Sequence, residues 1–406
     1  MLPIKIKEHI YWIGVNDHTT DLFEGLWPIT REGVSYNSYL VDDQKKAIID
    51  LANECAAENI LDQIRQVTDP AGLDYIILNH LEPDHSGALR GLLHTAENAV
   101  ILTSERGRQM LDAFYGLGGK ARVVADGETL SLGKTTLQFL STPNVHWPET
   151  MMTYAVDEQI LFSCDAFGGY GALHGAIFDE DYDDLAFYRR EALRYYVNIV
   201  ATFSRPVLRA IEKLANLPVQ VIAPSHGLVW RQPQQIIALY QQWANLAFEP
   251  APAGITLLYG SMYGNTERMM NAVAQGISHE HVPLNILNVN RVHVSYILPY
   301  LWTQRGVMVG APTYEGALFP PMAQVLEMAG IKRITGKMVA RFGSYGWKGG
   351  GAGKHFEQLI SPLKWELQGT FEFNGGPTRD DLTAGVEFGA SFARQVIEGR
   401  GNSQGG

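Results

Sequence analysis

Two histidines and two carboxylates lie within six residues, in the stretch His80-Leu81-Glu82-Pro83-Asp84-His85. Imidazole nitrogens and carboxylate oxygens are donors that bind first-row transition metals. In an extended turn, residues two positions apart point the same way, so His80, Glu82 and Asp84 can converge on one point. The stretch therefore predicts a metal site, with a solvated acidic loop that contains histidine as the alternative.

The segments on either side of this stretch predict a strand and a helix. Residues 73–78 are a short apolar run rich in β-formers, which is typical of a strand buried on both faces. Residues 88–93 have apolar positions at helical spacing, and Ser86 or Gly87 opens that segment. Because ligands of α/β folds collect at such strand-to-helix turns, we expect the chemistry here.

Three more residues of the same chemical types follow predicted strands. His146 comes after a strand at 137–140, Asp165 after a strand at 159–163, and His226 after a strand at 219–223. Each alone is more often a structural turn residue than a ligand. Together with the stretch at 80–85, they favour a metal site built at strand ends. The strands form two halves with helical segments outside, which predicts a four-layered α/β/β/α arrangement.

Composition and charge limit the classes of protein to which the chain can belong. The chain has 406 residues, 46% of them hydrophobic, which is enough for two or three packed domains. The net charge of −11 and the lack of a lysine- or arginine-rich block argue against nucleic acid as a partner. The amino terminus lacks a signal-peptide core, and no uncharged apolar run reaches roughly 18 residues. We therefore expect a cytoplasmic protein that does not enter the membrane.

The two cysteines, Cys55 and Cys164, are far apart and form no CxxC pair. This excludes a rubredoxin-type iron centre or a cysteine-ligated iron–sulfur cluster within the chain. We expect both to be free structural thiols.

A second α/β unit is predicted after the Pro/Ala/Gly linker at 249–254. Residues 255–259 predict a buried strand, residues 260–266 form a loop of small and hydroxyl-bearing residues, and a helical pattern follows from Glu267. Such a loop wraps a phosphate in backbone N–H groups at a helix N-terminus without a lysine. It has neither the Walker nor the GxGxxG pattern, and an ordinary strand-to-helix turn is the alternative.

The ligand series resembles that of the flavodiiron proteins, which join a metallo-β-lactamase-like αββα domain to a flavodoxin-like doubly wound parallel sheet. In zinc hydrolases of the first fold the second ligand is usually histidine, whereas here it is Glu82. A carboxylate adds negative charge and a hard oxygen, which suits two non-haem iron ions better than zinc. The resemblance implies that one iron is bound by His80, Glu82 and His146, the other by Asp84 and His226, with Asp165 bridging. His85 either ligates the second iron or gives way to water.

Several other side chains near the predicted metal site are open to more than one interpretation. Trp147, next to His146, is expected to form a wall of the site. Tyr195 either donates a proton to it or packs, and His174 either faces the pocket or caps its loop. The loop from Asp17 to Gly33, which contains His18, Glu24 and Trp27, either lines a pocket or, as is more common, covers a core.

The second unit resembles flavodoxin, whose ligand is FMN. Loops after the predicted strands at 306–310 and 338–343 then hold the flavin ring, with Tyr314 and Trp347 as its aromatic partners. Two positions depart from the family: Tyr263, where threonine is common, and Tyr314-Glu315, where asparagines are common. The residues that the resemblance assigns to FMN are Ser261, Met262, Tyr263, Gly264, Asn265, Thr266, Pro312, Thr313, Tyr314, Glu315, Gly316, Ser344, Tyr345, Gly346, Trp347, Lys348 and Gly349.

The resemblance implies a diiron domain at 1–248, a linker at 249–254, an FMN domain at 255–398 and a disordered tail at 399–406. It also implies reduction of dioxygen to water or of nitric oxide to nitrous oxide. Electrons would come from an external donor such as rubredoxin or a reduced deazaflavin. A head-to-tail homodimer, alone or as a dimer of dimers, would bring flavin and iron together. The rival readings are a zinc hydrolase fused to a flavodoxin domain and a flavin electron carrier with a vestigial metal site.

Overall fold

The computed structural model of the protein describes residues 2–347 and 349–399. The chain forms two compact units, Met1–Ala244 and Asn245–Gly406. The boundaries predicted from the sequence, with a linker at 249–254, stay a prediction. Within the described residues, no helix is both long and apolar enough to cross a membrane.

Over its described residues, the first unit has many short strands and seven α-helices. Its strands are β1 Ile4–Lys7, β2 Ile10–Trp12, β3 Val15–Asp17, β4 Leu22–Phe23, β5 Trp27–Pro28, β6 Val34–Tyr36, β7 Tyr39–Asp42, β8 Lys46–Ile49, β9 Tyr75–Ile77, β10 Val100–Thr103, β11 Ala121–Val123, β12 Thr129–Ser131, β13 Thr136–Ser141, β14 Met151–Ala155, β15 Ile160–Cys164 and β16 Val221–Pro224. Its helices are α1 Ala57–Arg65, α2 Pro83–Ser86, α3 Leu89–Thr95, α4 Glu105–Tyr115, α5 Ala186–Tyr195, α6 Ser204–Leu214 and α7 Pro233–Asn245.

Two sheets carry the core of this unit. One has seven strands in the order β1-β2-β7-β8-β9-β10-β11, and the other has five in the order β12-β13-β14-β15-β16. The rings of Tyr39 and Phe162 meet at 5.0 Å, and the Tyr39 hydroxyl donates to the carbonyl of Pro224 at 2.7 Å. These contacts join the first sheet to the second, with helices outside them, so the predicted αββα sandwich is confirmed.

The turn after β9 differs in detail from the sequence-based expectation. The extended geometry ends at Glu82, and α2 begins at Pro83. Proline suits the first helical position because its fixed φ matches the helix and its missing N–H is not needed there. Asp84 therefore lies on a helical turn rather than an extended one. The Ser86 hydroxyl does not start the next helix but donates back to the carbonyl of Leu81 at 2.9 Å.

The second unit has a five-stranded parallel sheet covered by helices, and a separate antiparallel hairpin of two short strands. Its strands are β17 Ile255–Tyr259, β18 Leu284–Asn288, β19 Gly306–Gly310, β20 Thr313–Tyr314, β21 Ala317–Leu318, β22 Met338–Tyr345 and β23 Glu366–Asn374. Its helices are α8 Asn265–His279, α9 Val294–Thr303, α10 Pro320–Ile331, α11 Gly351–Ile360 and α12 Arg379–Glu398. The sheet order β18-β17-β19-β22-β23 is the 2-1-3-4-5 order of flavodoxin-like folds. The prediction of this fold is confirmed.

The two central strands of this sheet are buried, and this burial explains why they could be predicted from the sequence. Every residue of β17 and β19 is buried, as expected for parallel strands with helices on both faces. The carboxyl ends of β17, β19 and β22 share one edge because the three strands pair in parallel. At the other end of the chain, Gly399 ends α12 with a positive φ. The rest of the predicted disordered tail, residues 400–406, lies outside the described residues.

Candidate metal centre and flavin site

Four side chains of the first unit bring their ligand atoms around one point. Oε2 of Glu82 lies 3.2 Å from Nε2 of His80 and 3.1 Å from Nε2 of His146. Oδ2 of Asp165 lies 3.5 Å from each of the same two nitrogens. Atoms roughly 2.1 Å from a common ion are separated by roughly 3.0–3.4 Å in regular coordination. The four atoms therefore fit one metal ion, and we call them the first ligand group.

A second ligand group lies on the other side of Asp165. Oδ2 of Asp84 is 3.5 Å from Nε2 of His85 and 3.3 Å from Nε2 of His226. Oδ1 of Asp165 lies 3.1 Å from the His85 nitrogen and 3.6 Å from the His226 nitrogen. The two oxygens of Asp165 thus face the two groups separately, which is the arrangement of a bridging carboxylate. His85, left open by the sequence, points its Nε2 into the second group.

Unsatisfied polar atoms support the fit of cations to both groups. Oδ2 of Asp165 and Nε2 of His226 are buried without a hydrogen-bond partner within the described part of the chain. Buried polar atoms are costly unless paired, and a metal ion is a partner for both. The ligand atoms of both groups are nitrogen and oxygen, which suits iron better than soft, thiolate-seeking metals.

The strand-end positions explain how distant residues meet. His80 comes shortly after the end of β9, and Asp165 comes directly after the end of β15. His226 is the second residue after the end of β16. Because β15 and β16 pair in parallel, their carboxyl ends lie at the same edge of the second sheet. The hydrogen bond from Thr153 Oγ1 to Asn79 Oδ1, at 2.8 Å, joins that sheet to the turn that carries His80. The fold therefore assembles both groups between the two sheets.

The electrostatics of the cluster favour positive charge. Burial lowers the pKa of His80, but its hydrogen bonds with Glu149 and Glu82 outweigh burial and raise that pKa to about 10. Burial raises the pKa of Glu82, yet hydrogen bonds with His146 and His80 bring it down to about 2. The pKa of Asp165 is well below its usual value despite burial, chiefly because of nearby His85. Glu82 and Asp165 are thus ionised at neutral pH, as metal binding requires.

Glu149 is a functional candidate that the sequence analysis missed. Its Oε1 lies 2.6 Å from Nδ1 of His80 and accepts the backbone N–H of Leu81 at 3.1 Å. A carboxylate on the second ring nitrogen holds a ligand histidine in the tautomer that presents its other nitrogen to the metal. The signal in the sequence is weak, because Glu149 lies 69 residues from His80 and only its closeness to His146 marks it.

The three other residues predicted for this site lie in different settings. Trp147 is half-buried, and its ring meets the ring of His80 edge-on at 5.0 Å. The buried hydroxyl of Tyr195 donates to Oδ1 of Asp165 at 2.8 Å. His174 is exposed, and its ring stacks on Phe187 at 6.0 Å. The structure thus brings Trp147 and Tyr195 to the cluster, while the contacts of His174 lie with Phe187 and its neighbours.

The second unit has a cavity of about 560 Å³ at the carboxyl ends of β17, β19 and β22. Trp347 and Tyr263 stand at this cavity with 97% and 91% of their surfaces exposed. The hydroxyl of Thr313 is buried without a hydrogen-bond partner in the described part of the chain. Exposed aromatic faces and an unsatisfied hydroxyl fit a planar, polar-edged ring such as a flavin. The predicted residues that line the cavity are Met262, Tyr263, Asn265, Pro312, Thr313, Tyr314, Glu315, Gly316, Ser344, Tyr345, Gly346, Trp347 and Gly349.

The start of α8 fits the phosphate of such a ligand. Gly264 precedes the helix with a φ of 87°, and its N–H donates to Oγ of Ser261 at 3.0 Å. The loop thereby presents the first-turn N–H groups of α8, which attract an anion. Oγ1 of Thr266 lies 3.5 Å from Oγ of Ser344, so the start of α8 meets the carboxyl end of β22.

Three residues complete the comparison with the predicted flavin set. Gly351 and Gly375 line the cavity but were not predicted. Gly375 follows β23, whose parallel pairing with β22 brings its carboxyl end to the same edge, and that pairing is not visible in local sequence. Lys348, which was predicted, lies outside the described residues.

Comparison with known proteins gives matches to both units. A family model described as ODP family beta lactamase matches residues 34–227, and one described as flavodoxin matches residues 257–389. Over 406 residues the chain is 32% identical to a nitric oxide reductase of Moorella thermoacetica, covering 98% of this chain and 99% of that protein.

Solved structures match along the same length. The rubredoxin oxygen:oxidoreductase from the anaerobe Desulfovibrio gigas has a TM-score of 0.91 at 28% identity, covering 98% of this chain and 99% of that one. The flavodiiron protein from Giardia intestinalis has a TM-score of 0.91 at 27% identity, covering 98% and 97%. Both units, in the same order, are shared with these proteins. The chain therefore belongs to the flavodiiron protein family.

Proposed function

We propose that this protein is an oxidoreductase that reduces dioxygen to water, nitric oxide to nitrous oxide, or both, at a non-haem diiron site re-reduced by FMN. The observation that carries the proposal is the pair of ligand groups that share the two oxygens of Asp165. The names of its relatives support both gases, since one is a nitric oxide reductase and another a rubredoxin oxygen:oxidoreductase.

The metal ligands proposed here extend the set predicted from the sequence by one residue. The first iron would be held by His80, Glu82 and His146 and the second by Asp84, His85 and His226, with Asp165 between them. When bound, the iron pair supplies a binding place and electrons for the gas, and FMN restores those electrons. Glu82 contributes an anionic oxygen where a zinc hydrolase has a neutral nitrogen.

Two further side chains have defined tasks at this site. Burial raises the pKa of Tyr195 well above its usual value, so its hydroxyl keeps its proton. The hydrogen bond from the Tyr195 hydroxyl to Asp165 therefore persists at physiological pH and fixes the orientation of the shared carboxylate. Trp147 covers one edge of the His80 ring and limits the access of water from that side. Both tasks concern position, and neither requires these side chains to react.

The electron donor and the assembly are proposed from chemistry and from a relative's name. The sequence has no CxxC pair, so electrons must come from another molecule. A separate rubredoxin is the first proposed donor, since one structural neighbour is named for it, and a reduced deazaflavin is the second. Because the two sites lie on different units, a head-to-tail homodimer, or a dimer of such dimers, is proposed to pair the flavin of one copy with the irons of the other. The cytoplasm stays the predicted location.

The proposal is tested by measuring both gases with one reduced sample. Full-length protein purified from cells supplied with iron, zinc and flavin, and then reduced anaerobically, is expected to contain two irons per chain and to consume dioxygen, nitric oxide or both. Rubredoxin and a reduced deazaflavin are supplied in parallel to identify the donor. Asp165→Ala is expected to lose metal and gas consumption while it retains FMN. Asp62→Ala, on the exposed face of α1, is the matched control.

Two results would contradict the proposal. Two zinc ions with negligible iron and no consumption of either gas would indicate the hydrolase. Reversible flavin reduction without metal and without gas consumption would indicate an electron carrier.

A further inference from the structure

The hairpin of β4 and β5 carries an acidic residue at its turn. The N–H of Leu26 donates to the carbonyl of Phe23 at 3.0 Å, so Glu24 and Gly25 are the two central residues. Both have positive φ values, 52° and 68°. The strands pair Phe23 with Trp27, so the loop has three residues, Glu24 to Leu26. Positive φ is strained for side chains other than asparagine, aspartate and glycine. Glutamate is therefore an unfavourable choice for the turn itself.

The hairpin is fastened over the metal cluster. The ring of Phe23 meets the ring of His226 edge-on at 5.4 Å and that of Tyr195 at 6.2 Å. At the other end, Nη1 of buried Arg194 donates to the carbonyl of Pro28 at 2.9 Å. These contacts hold both strands of the hairpin, so the position of its turn relative to the ligands is defined.

The Glu24 side chain is directed from this turn toward the first ligand group. Nε1 of buried Trp27 donates to Oε2 of Glu24 at 3.1 Å and orients the carboxylate. Ligand atoms of Glu24, Glu82 and His146 all lie within 4.8 Å of one another. Two atoms that each bind one ion at roughly 2.1 Å are at most roughly 4.2 Å apart, so a small movement suffices. Oδ2 of Asp165, buried and unpartnered among the described residues, is directed at the same His146 nitrogen.

The charges of the two glutamates also favour a cation between Glu24 and Glu82. Glu24 and Glu82 are both carboxylates, and like charges at this separation repel unless a cation lies between them. The hydrogen bond from Trp27 is made to Oε2 of Glu24, so Oε1 is the oxygen that would bind a metal ion. A hard anionic oxygen is a suitable ligand for iron.

We propose that Glu24 is an additional carboxylate ligand to the metal ion held by His80, Glu82 and His146, supplied by the β4–β5 hairpin. The inference rests on the proposed function, since it assumes metal binding at the first ligand group. It gives that ion five candidate donors, two nitrogens and three oxygens. The hairpin then becomes part of the metal site rather than a cover for the core.

The proposal is tested on full-length apoprotein with Co²⁺ as the probe, without any assay of activity. Co²⁺ with four ligands absorbs visible light more strongly than Co²⁺ with five or six. Glu24→Ala and Glu24→Gln are expected to strengthen the visible absorption of one of the two bound ions. They should also weaken its binding about tenfold, as judged by competition with a chelator. Trp27→Phe removes the N–H group that orients the Glu24 carboxylate, and it is expected to have a smaller effect in the same direction.

Leu26→Ala provides the control within the hairpin, since this exposed neighbour offers no ligand atom. It is expected to leave the absorption and the affinity unchanged. If both Glu24 variants match the wild type, or if Leu26→Ala causes the same change as Glu24→Ala, the inference is overturned. Failure of the folded wild-type protein to take up two Co²⁺ would instead overturn the proposed function. Circular dichroism of each variant establishes that it is folded.

Discussion

Three histidines of the candidate metal centre differ in what holds their second ring nitrogen. Nδ1 of His80 is 2.6 Å from a Glu149 oxygen, and Nδ1 of His226 is 2.8 Å from the carbonyl of Ser35. Nδ1 of His85 lies 3.8 Å from the sulfur of Cys164. A carboxylate raises the basicity of its histidine more than a carbonyl does, and a thiol does so least. His80 is therefore the most firmly oriented of these three histidines.

This difference predicts the effect of Glu149→Gln. The amide keeps the size of the side chain but loses the charge, so His80 becomes a weaker ligand. Metal affinity at one site is expected to fall about 10–100-fold, while the other site is nearly unchanged. Chelator competition with two equivalents of metal measures both constants. Glu105→Gln, an exposed change on α4, is the control, and equal affinities in the Glu149 variant and the wild type would refute the role.

At the scale of elements, the second unit depends on one close helix pair. A Cβ on Gly276 of α8 would overlap the backbone carbonyl of Val386, and one on Gly389 of α12 would overlap that of Val273. The two helices therefore approach backbone to backbone, and only glycine fits at these contacts. This pair covers the sheet face formed in part by Ile255 and Leu257 of β17. Its packing thus supports the strand that leads into the phosphate loop.

Gly389→Ala is expected to destabilise the second unit. The added methyl group must push two backbones apart, and overpacking of this kind costs about 1–3 kcal/mol or more. Denaturant unfolding followed by circular dichroism and by release of FMN measures the change. Gly353→Ala, on α11, is the matched control because its Cβ meets no backbone, and helix propensity favours alanine by about 1 kcal/mol. An unchanged midpoint for Gly389→Ala would contradict the close approach.

Local sequence predicted those elements whose pattern is set by their own burial. The runs at 255–259 and 306–310 match β17 and β19 as buried parallel strands, and the helix after the phosphate loop is α8. The turn after β9 was less accurately predicted, because the alternation rule ignores the preference of Pro83 for the start of a helix. The π-helical turn at Tyr196–Val200, directly after Tyr195, had no signal in the periodicity.

At the scale of the whole molecule, the two candidate sites belong to different units of the chain. The proposed turnover needs electrons to move from one to the other. If the pathway runs between copies in a head-to-tail dimer, a copy with defective metal binding and a copy with defective flavin binding can complement each other. If it runs within one chain, they cannot.

Co-expression of two inactive variants makes this a prediction. Asp165→Ala lacks a ligand of both groups, and Gly351→Val places a side chain against the carbonyl of Gly316, which forces two flavin loops apart. With random pairing, half the dimers are mixed and each has one working pair, so roughly a quarter of wild-type gas consumption is expected. Each variant alone should be inactive. Mixed dimers that form but stay inactive would argue for transfer within one chain.

The sequence by itself determined the fold class, the order of the two units and the chemical types at the strand ends. These follow from local burial patterns and from short motifs, both of which are contained in neighbouring residues. Tertiary structure alone decided which oxygen of Asp165 faces which ligand group, that His85 points into the second group, and that Glu149 and Glu24 reach the first. Those relations join residues that are many positions apart in the chain, and only the packing of two sheets and a hairpin determines the distances between them.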